Sequence, residues 1–230
     1  MRVVIIPARG GSKGIPKKNL SLLNGVTLVR RALLASLESN ADCVILSTDD
    51  ESIAKEANGL NVVVHNRSSL NSTDQATSES VISEVIDDIG SAWAGTTLIG
   101  MVQATSPFTS GELIDSCFKT ASGGFTSFSA GKSHKLLWRE TSDGWQPVNH
   151  PINRRIRRQD MESEVFETGA VYVFQLDAFR RTGYRFCSPS MPIIENNAIS
   201  VDIDSPIDLI LAEIILNHPA LNSSLEWKVE

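Results

Sequence analysis

The sequence predicts an α/β protein of three layers, in which a mostly parallel sheet carries helices on both faces. Short apolar runs alternate with longer segments of helical period, which is the pattern of such a sheet. A glycine-rich, basic stretch follows the first apolar run directly, as a loop at the carboxyl end of a strand would. With 230 residues, of which 41% are hydrophobic, the chain suits one domain with a full core, so we expect residues 1–230 to form a single domain.

The short apolar runs are the strand candidates, because a parallel strand is buried on both faces. They lie at 2–7, 42–47, 61–65, 96–102, 125–129, 170–175 and 199–203.

Three stripes of apolar residues at helical spacing predict core-facing helices, in 81–89, 113–121 and 207–215. The last has clear boundaries, with Ser205 as N-cap, Pro206 at the first helical position and Pro219 beyond the end.

The segment 130–168 breaks this alternation. It contains Trp138, Trp145, an Asp143-Gly144 turn and a run of arginines between 154 and 158. A stretch this long and this apolar is expected to pack against something rather than to be disordered. We therefore interpret 130–168 as an insertion within the domain.

Charge and composition limit the function. The net charge of −6 argues against a protein that coats nucleic acid, whereas the local basic clusters in 9–18 and 154–158 suit a small anionic ligand. The apolar run near the start is too short to span a membrane. The three cysteines, Cys43, Cys117 and Cys187, have no metal-ligand spacing, and reduced thiols fit a cytoplasmic protein without membrane partners.

Residues 9–19 form the candidate anion-binding loop. Glycines let backbone N–H groups approach a phosphate, and Arg9, Lys13 and Lys18 add positive charge. The spacing matches neither the Walker-type loop of ATPases nor the dinucleotide-binding fingerprint. A solvated basic turn is the alternative, but the place of the loop after the first strand favours a ligand site.

Asp202 and Asp204 form a candidate metal site for Mg²⁺. A strand period of two would place both carboxylates on one face and turn Ile203 to the core. Mg²⁺ prefers oxygen ligands and is usually shared with substrate phosphates, so two aspartates suffice. Alternatively, Asp204 helps to cap the helix beginning near Ser205, and Asp202 is simply solvated.

Residues 9–19 also resemble the signature of the N-acylneuraminate cytidylyltransferase family. The resemblance continues in family order over nearly the whole chain, through 47–50, Arg67, 74–78, 103–107, 158–160, 169–172 and 202–204. It implies a Rossmann-like nucleotidyltransferase fold and a Mg²⁺-dependent transfer of the cytidylyl group from CTP to a 2-keto-3-deoxy acidic sugar. It also implies a homodimer, because the family dimerises through the region equivalent to 130–168.

The resemblance assigns roles to individual residues on the nucleotide side. Arg9, Ser12, Lys18 and Asn19 match positions that contact the triphosphate and nucleotide, while Lys13 lies in the same loop. Arg67 and Ser78 match positions near the cytidine, although Ser78 could instead cap the helix that follows. Arg9, Lys18 and Asp204 are the expected catalytic residues, since cations can stabilise departing pyrophosphate.

On the sugar side, the matching positions are Gln103, Thr105, Lys135, Arg158 and Tyr172. An arginine can bind the sugar carboxylate through two hydrogen bonds. The chain departs from the family pattern on this side, with Ala104, Glu162, Thr168 and the pair Arg185-Phe186 in place of the common residues.

These departures leave the sugar open among sialic, legionaminic, pseudaminic and octulosonic acids. Two other classes also remain, a catalytically silent nucleotide-sugar binding module and a nucleotide-sugar-dependent glycosyltransferase, although the second would not need the loop at 9–19. The four histidines, His65, His134, His150 and His218, show no ligand spacing and receive no role.

Overall fold

The computed structural model of the protein describes residues 1–12, 14–161, 164–195 and 200–218. Its strands are β1 (Arg2–Pro7), β2 (Leu22–Leu23), β3 (Val26–Thr27), β4 (Cys43–Thr48), β5 (Val63–Asn66), β6 (Leu98–Val102), β7 (Thr126–Ser133), β8 (Trp138–Thr141), β9 (Gly144–Pro147), β10 (Glu164–Gln175) and β11 (Ser190–Ile194). Its α-helices are α1 (Leu28–Glu38), α2 (Glu51–Ala54), α3 (Ser78–Asp88), α4 (Gly111–Ala121), α5 (Leu176–Thr182) and α6 (Pro206–Asn217).

The central sheet has the strand order β11-β7-β10-β6-β1-β4-β5. Strand β10 runs antiparallel to both of its neighbours, and the other pairings are parallel. This confirms the predicted mostly parallel sheet.

Strand β1 shows why the sheet is covered on both faces. Val4 and Ile6 pack with α1 and α4 in one buried apolar cluster, whereas Val3 and Ile5 pack with α3 and α5 in another. Successive side chains of a strand point to opposite faces, so a continuous apolar run is what a central strand requires. The three-layer arrangement follows directly.

The predicted elements are largely confirmed, with boundaries shifted by a few residues. The helices predicted at 81–89, 113–121 and 207–215 are α3, α4 and α6. The core-facing stripe predicted in α6 is wrong except at Ile215, because Ile207, Ile210, Leu211 and Ile214 are 46–58% exposed, and the helix buries Ala212, Ile215 and Leu216 instead. The strand predicted at 199–203 is also wrong, because residues 200–203 have no strand conformation and residue 199 lies outside the described part. Ile203 is nevertheless buried, and its N–H donates to the carbonyl of Thr105 at 2.8 Å, so one hydrogen bond to a loop replaces a strand ladder.

Helix α6 begins as its sequence predicts. Ser205 is the N-cap, Pro206 opens the helix, and the Asp208 carboxylate accepts from both the N–H and the hydroxyl of Ser205. The alternative that Asp204 caps this helix is wrong, since its carboxylate pairs with another residue described below. Pro219 lies outside the described residues.

The segment interpreted as an insertion begins inside β7 and ends inside β10. Between these strands, β8 and β9 form a separate two-stranded hairpin whose turn contains Asp143. Trp145 lies opposite Glu140, and Trp138 lies opposite Pro147, so both tryptophans share one face of the hairpin. That face is open to solvent, with Trp138 47% and Trp145 63% exposed.

All three cysteines are free, with Cys117 buried and the other two partly buried. Among the described residues, no helix combines the length and apolar character that crossing a membrane requires.

Candidate active site

An open pocket of about 310 Å³ lies where β1, β5 and β6 end. It collects most of the predicted site residues, although they are spread over the chain. The predicted residues that line it are Arg9, Ser12, Lys18, Asn19, Arg67, Ser78, Gln103, Thr105, Asp202 and Asp204. Ligands bind at this edge of parallel sheets because the loops that follow the strands converge there.

Side chains from neighbouring segments hold the glycine-rich loop in place. The Gly10 N–H donates to Asp49 Oδ1 at 2.9 Å, and the buried Asn19 amide donates to the Arg9 carbonyl at 2.9 Å. A Cβ at residue 10 would lie 2.7 Å from Asp50 Oδ2, which explains a glycine at that position. Asn19 therefore stabilises the loop itself in this structure.

Arg9 reaches across the pocket. Its Nη1 lies 2.8 Å from Asp74 Oδ1, and both side chains are partly exposed. This ion pair joins the glycine-rich loop to the segment before α3.

Lys18 and Asp204 form the second link across the pocket. Lys18 Nζ lies 2.9 Å from Asp204 Oδ1. Gly14 packs against the same segment, because a Cβ there would lie 2.2 Å from the Asp204 carbonyl oxygen. The loop and the acidic segment therefore touch through both side chain and backbone.

Asp202 is the second acidic residue of the pocket and hydrogen-bonds with the Thr105 side chain. Its side chain has solvent-accessible surface, yet the surrounding pocket walls desolvate it and raise the pKa of its carboxyl. The charge of Asp204 adds to this increase, while the Thr105 hydrogen bond and Lys18 oppose it. Two neighbouring carboxylates that face a basic loop are a donor set suited to a hard divalent cation.

Arg67 also lines the pocket and is 7% exposed. Its Nη2 donates to the Ser47 carbonyl at 2.7 Å, and its Nε donates to the Ser47 hydroxyl at 3.3 Å. Burial lowers the pKa of the guanidinium, while the carboxylates of Asp49 and Glu84 oppose that shift. A guanidinium of ordinary pKa above 12 stays charged under these conditions.

Ser78 is the first residue of α3 and lines the pocket. The alternative that it caps the helix is wrong, because Thr77 is the N-cap and its hydroxyl accepts from the Ser80 N–H at 3.1 Å. The Ser78 hydroxyl is therefore not needed as the cap.

Gln103 and Thr105 follow β6 and lie beside the acidic segment. Gly169, which has a φ of 81°, faces Gln103 closely enough that a Cβ would lie 3.4 Å from Gln103 Oε1. The same Cβ would lie 3.9 Å from Asp202 Oδ2, so Gly169 leaves room beside both polar groups.

Of the remaining predicted residues whose side chains the structure describes, Lys135 and Tyr172 do not line this pocket. Lys135 is exposed next to β7, at the start of the loop leading to the hairpin, and Arg158 begins a short 3-10 helix (Arg158–Asp160), where only its backbone is described. Lys13 lies outside the described residues, as does Glu162. Tyr172 is buried in β10, and its hydroxyl donates to Glu167 Oε2 at 2.7 Å. Burial raises the pKa of this phenol, and the Glu167 carboxylate raises it further.

Arg185 and Phe186 both contact Tyr172. Arg185 Nε donates to Glu79 Oε1 at 2.6 Å, and its guanidinium carbon lies 4.7 Å from the centroid of the Tyr172 ring. Phe186 meets the same ring edge-on at 6.0 Å. The pair that departs from the family pattern is therefore part of a packed aromatic and ionic cluster next to α3.

Sequence reasoning missed three residues that shape the pocket. Asp74 lies in a matched block, but its pairing with Arg9 has no local signal because the two residues come from different loops. Asn71 lines the pocket, with its amide hydrogen-bonded to Glu84 of α3. His65 is buried behind Arg67, and its partners are distant in the sequence.

Residues 3–206 match the family model for cytidylyltransferases. N-acylneuraminate cytidylyltransferase from Oncorhynchus mykiss is 35% identical over 88% of this chain and 48% of its own length. The enzyme of that name from Streptococcus agalactiae serotype V is 28% identical over 90% of this chain and 51% of its own length. The chain spans about half the length of the curated relatives it matches.

Solved structures share the fold at low sequence identity. CMP:2-keto-3-deoxy-manno-octonic acid synthetase in complex with CTP has a TM-score of 0.67 at 14% identity, covering 94% of this chain and 98% of that chain. The 4-diphosphocytidyl-2C-methyl-D-erythritol synthase of Anaerococcus prevotii has a TM-score of 0.67 at 15% identity, covering 94% and 97%. The model match over residues 3–206, more than half of the sequence, shows that this chain belongs to the cytidylyltransferase family.

Proposed function

We propose that this protein transfers the cytidylyl group of CTP to the anomeric hydroxyl of a 2-keto-3-deoxy acidic sugar and releases pyrophosphate. The observation that carries this proposal is the convergence of a basic glycine-rich loop with Asp202 and Asp204 in one pocket. A basic glycine-rich loop suits phosphate groups, and two carboxylates suit a divalent cation that is shared with those phosphates. The names of the relatives, which are N-acylneuraminate enzymes, support the acidic sugar.

The reaction requires positioning and charge neutralisation more than covalent chemistry by the protein. The sugar hydroxyl oxygen forms a bond to the α-phosphorus of CTP while the bond from that phosphorus to the pyrophosphate oxygen breaks. Pyrophosphate leaves with the electron pair, and the hydroxyl proton passes to solvent. Arg9 and Lys18 offset the charge on the departing phosphates, because both cations face the pocket from the glycine-rich loop.

Asp202 and Asp204 are the residues that would hold Mg²⁺, which supplies charge neutralisation at the phosphate oxygens when bound. Lys18 already lies within hydrogen-bond distance of Asp204, so the acidic segment and the cationic group meet at one point. Arg67 and Ser78 also line the pocket, and we place the cytidine against them. Gln103 and Thr105, beside Asp202, are placed against the sugar.

For the sugar we propose only a class of acidic acceptors, whereas for the nucleotide we propose CTP. The solved neighbours with this fold act, by their names, on an octonic acid and on an erythritol derivative, so the fold leaves the acceptor open. In this chain Arg185 stands beside Tyr172 and pairs with Glu79. Because Glu79 already neutralises Arg185, the acidic acceptor is supported by the names of the relatives instead.

We further propose a homodimer in which the hairpin of β8 and β9 contacts a second copy. The shared face of Trp138 and Trp145 supports this, because exposed aromatic side chains on one face commonly mark an interface.

A pyrophosphate-release assay tests the reaction. CTP, Mg²⁺ and a panel of sialic, legionaminic, pseudaminic and octulosonic acids would be supplied separately, with UTP, ATP and GTP as alternative nucleotides. We expect release with CTP and one acidic sugar, and none without Mg²⁺. If CTP binds but no sugar supports release, the chain is a nucleotide-binding module and the proposed reaction is wrong.

A further inference from the structure

A chain of hydrogen bonds leads from the surface of α3 through the buried interior to Arg67. Asp88 Oδ2 lies 3.0 Å from His65 Nε2, and His65 Nδ1 lies 3.1 Å from the Ser47 hydroxyl. The same hydroxyl lies 3.3 Å from Arg67 Nε. Ser47 is fully buried and His65 is 4% exposed, so water does not compete for the central contacts.

The two ends of this hydrogen-bond chain limit the directions that its protons can take. The guanidinium of Arg67 only donates, and the carboxylate of Asp88 only accepts. With a neutral His65, Ser47 accepts from Arg67 and gives its own proton to His65 Nδ1, while His65 donates from Nε2 to Asp88. One neutral tautomer of His65 satisfies all four groups at once.

The backbone supports the same arrangement. His65 lies in β5 directly beside Ser47 of β4 in the parallel register, and the Arg67 N–H donates to the Thr48 carbonyl at 2.9 Å. The Ser47 carbonyl also accepts from Arg67 Nη2 at 2.7 Å. Arg67 is thus held at its backbone and at two guanidinium nitrogens, and the Nε contact depends on the orientation of one hydroxyl.

His65, Glu84 and Asp88 also lie close enough together to be considered as metal ligands. The contacts favour the hydrogen-bond chain instead. Glu84 already accepts from the Ser68 N–H at 2.6 Å and from the Asn71 amide, and His65 Nε2 must carry a proton for Asp88. A metal at this cluster would have to displace these partners.

We infer that His65 is a positioning residue for Arg67, acting through the Ser47 hydroxyl and held in its donating tautomer by Asp88. Its effect is to fix the guanidinium in the pocket where the nucleotide binds. This inference rests on the proposed function, because it assumes that Arg67 contacts the cytidine nucleotide.

The first test removes the carboxylate of Asp88, which is the exposed end of the hydrogen-bond chain. Asp88→Ala should weaken CTP binding about fivefold, the effect of a loosened contact to a charged group. The thermal midpoint should stay within about 2 °C of the wild type, since a carboxylate at the carboxyl end of a helix does not stabilise it. Asp87→Ala is the matched control, because it removes a neighbouring exposed carboxylate of α3 and should leave CTP affinity unchanged.

The Asp87→Ala control also distinguishes the positioning of Arg67 from the effect of a changed net charge on CTP binding. Removing either carboxylate makes the protein less negative, which by itself would strengthen binding of anionic CTP. A weaker affinity in Asp88→Ala alone therefore opposes the electrostatic trend. Equal affinities in the two variants would overturn the inference.

The second test exchanges the imidazole for amides of different reach. In His65→Asn the amide oxygen attached to Cγ can accept from Ser47 as Nδ1 does, whereas in His65→Gln the amide reaches the position of Nε2. We expect His65→Leu to weaken CTP binding at least tenfold, His65→Asn to restore most of the affinity and His65→Gln to restore little. The sugar KM should change less than twofold throughout. Equal behaviour of the two amides would indicate a merely structural histidine.

The final measurement is a double-mutant cycle by calorimetry with CTP and Mg²⁺. In an Arg67→Ala background, Asp88→Ala should cause no further loss of CTP affinity, because its effect passes through Arg67. An additive loss would overturn the positioning role while leaving the proposed reaction intact. Failure of the wild-type protein itself to bind CTP would overturn both proposals.

Discussion

Lys18 Nζ lies 2.9 Å from Asp204 Oδ1, although the two residues are 186 positions apart in the sequence. The contact closes the pocket between the glycine-rich loop and the segment that enters α6. An isolated, exposed ion pair contributes little to stability, and the Asp204 side chain is 75% exposed, so stability does not explain the pair. Its chemistry suits the proposed site, where phosphates and a divalent cation would meet.

Asp204→Asn should abolish turnover while leaving CTP binding within about tenfold of the wild type. The carboxylate would serve the metal in the transition state and contribute less to holding the bound nucleotide. Turnover and CTP affinity would be measured at saturating Mg²⁺. Asp87→Asn, which neutralises an exposed carboxylate outside the pocket, should remain fully active. Near-normal turnover in Asp204→Asn would show that the metal assignment is wrong.

Lys18→Ala should reduce turnover by about two orders of magnitude, because its charge would offset that on the leaving pyrophosphate. Since Lys18 contacts Asp204, the double variant with Asp204→Asn should be scarcely worse than the more damaged single variant. Lys119→Ala, on the exposed surface of α4, is the control for loss of a positive charge. A change confined to the sugar KM would mean that Lys18 acts on the other substrate.

Gly14→Ala should raise the Mg²⁺ concentration needed for half-maximal activity. The added Cβ would lie 2.2 Å from the Asp204 carbonyl oxygen, so the acidic segment must shift away from the loop. Gly59→Ala is the comparison, because its φ of 78° strains an alanine without any atom within 4 Å. It should cost about 1 kcal/mol of stability with an unchanged Mg²⁺ requirement. If both variants behave alike in Mg²⁺ titrations, the effect at Gly14 is only general destabilisation.

Glu79→Gln should make stability less dependent on pH. Burial alone would raise the pKa of Glu79, but the hydrogen bond and charge of Arg185 outweigh it and hold the pKa below its usual value. A lowered pKa in the folded state stabilises the protein above the ordinary carboxyl pKa of about 4.3, and that contribution is lost as the pH falls through the folded value. We therefore expect a loss of about 1–3 kcal/mol at neutral pH that shrinks towards acid pH.

The matched control for Glu79→Gln is Glu140→Gln, on the exposed hairpin strand β8. Urea unfolding across the pH range measures both variants against the wild type. A difference between Glu79→Gln and wild type that stays constant from neutral to acid pH would contradict the ion pair with Arg185.

The sequence predicts the central sheet and the position of the glycine-rich loop after β1 well, because both depend on local patterns. Val3 to Ile6 form a continuous apolar run, and the loop after it carries its glycines and cations within a few residues. Ile203 shows the limit of such reasoning. Its burial follows from its apolar side chain, but its backbone bonds to the loop at Thr105 rather than to a strand, and that choice depends on tertiary contacts.

Contacts between distant segments are the part that the sequence does not reveal. His65 carries no ligand spacing, and its importance appears only when β4 and β5 align it with Ser47 and when α3 brings Asp88 to its other nitrogen. Arg9 and Asp74 likewise meet only because two loops converge. Side-chain pairing of this kind depends on the packed fold rather than on spacing along the chain.

The last prediction concerns assembly through the hairpin. Trp138 and Trp145 lie on one face of β8 and β9, while Arg139 and Gln146 lie on the other. Trp145→Glu should therefore weaken dimerisation, because it removes an exposed aromatic side chain and places a second negative charge beside Glu140, and it should raise the sugar KM before it affects CTP binding. Gln146→Glu adds the same charge to the opposite face and should leave the dimer intact. Light scattering and kinetics over a protein dilution series measure both properties. A fully active wild-type monomer would contradict the dimer, and a stable Trp145→Glu dimer with unchanged kinetics would place the interface on another surface.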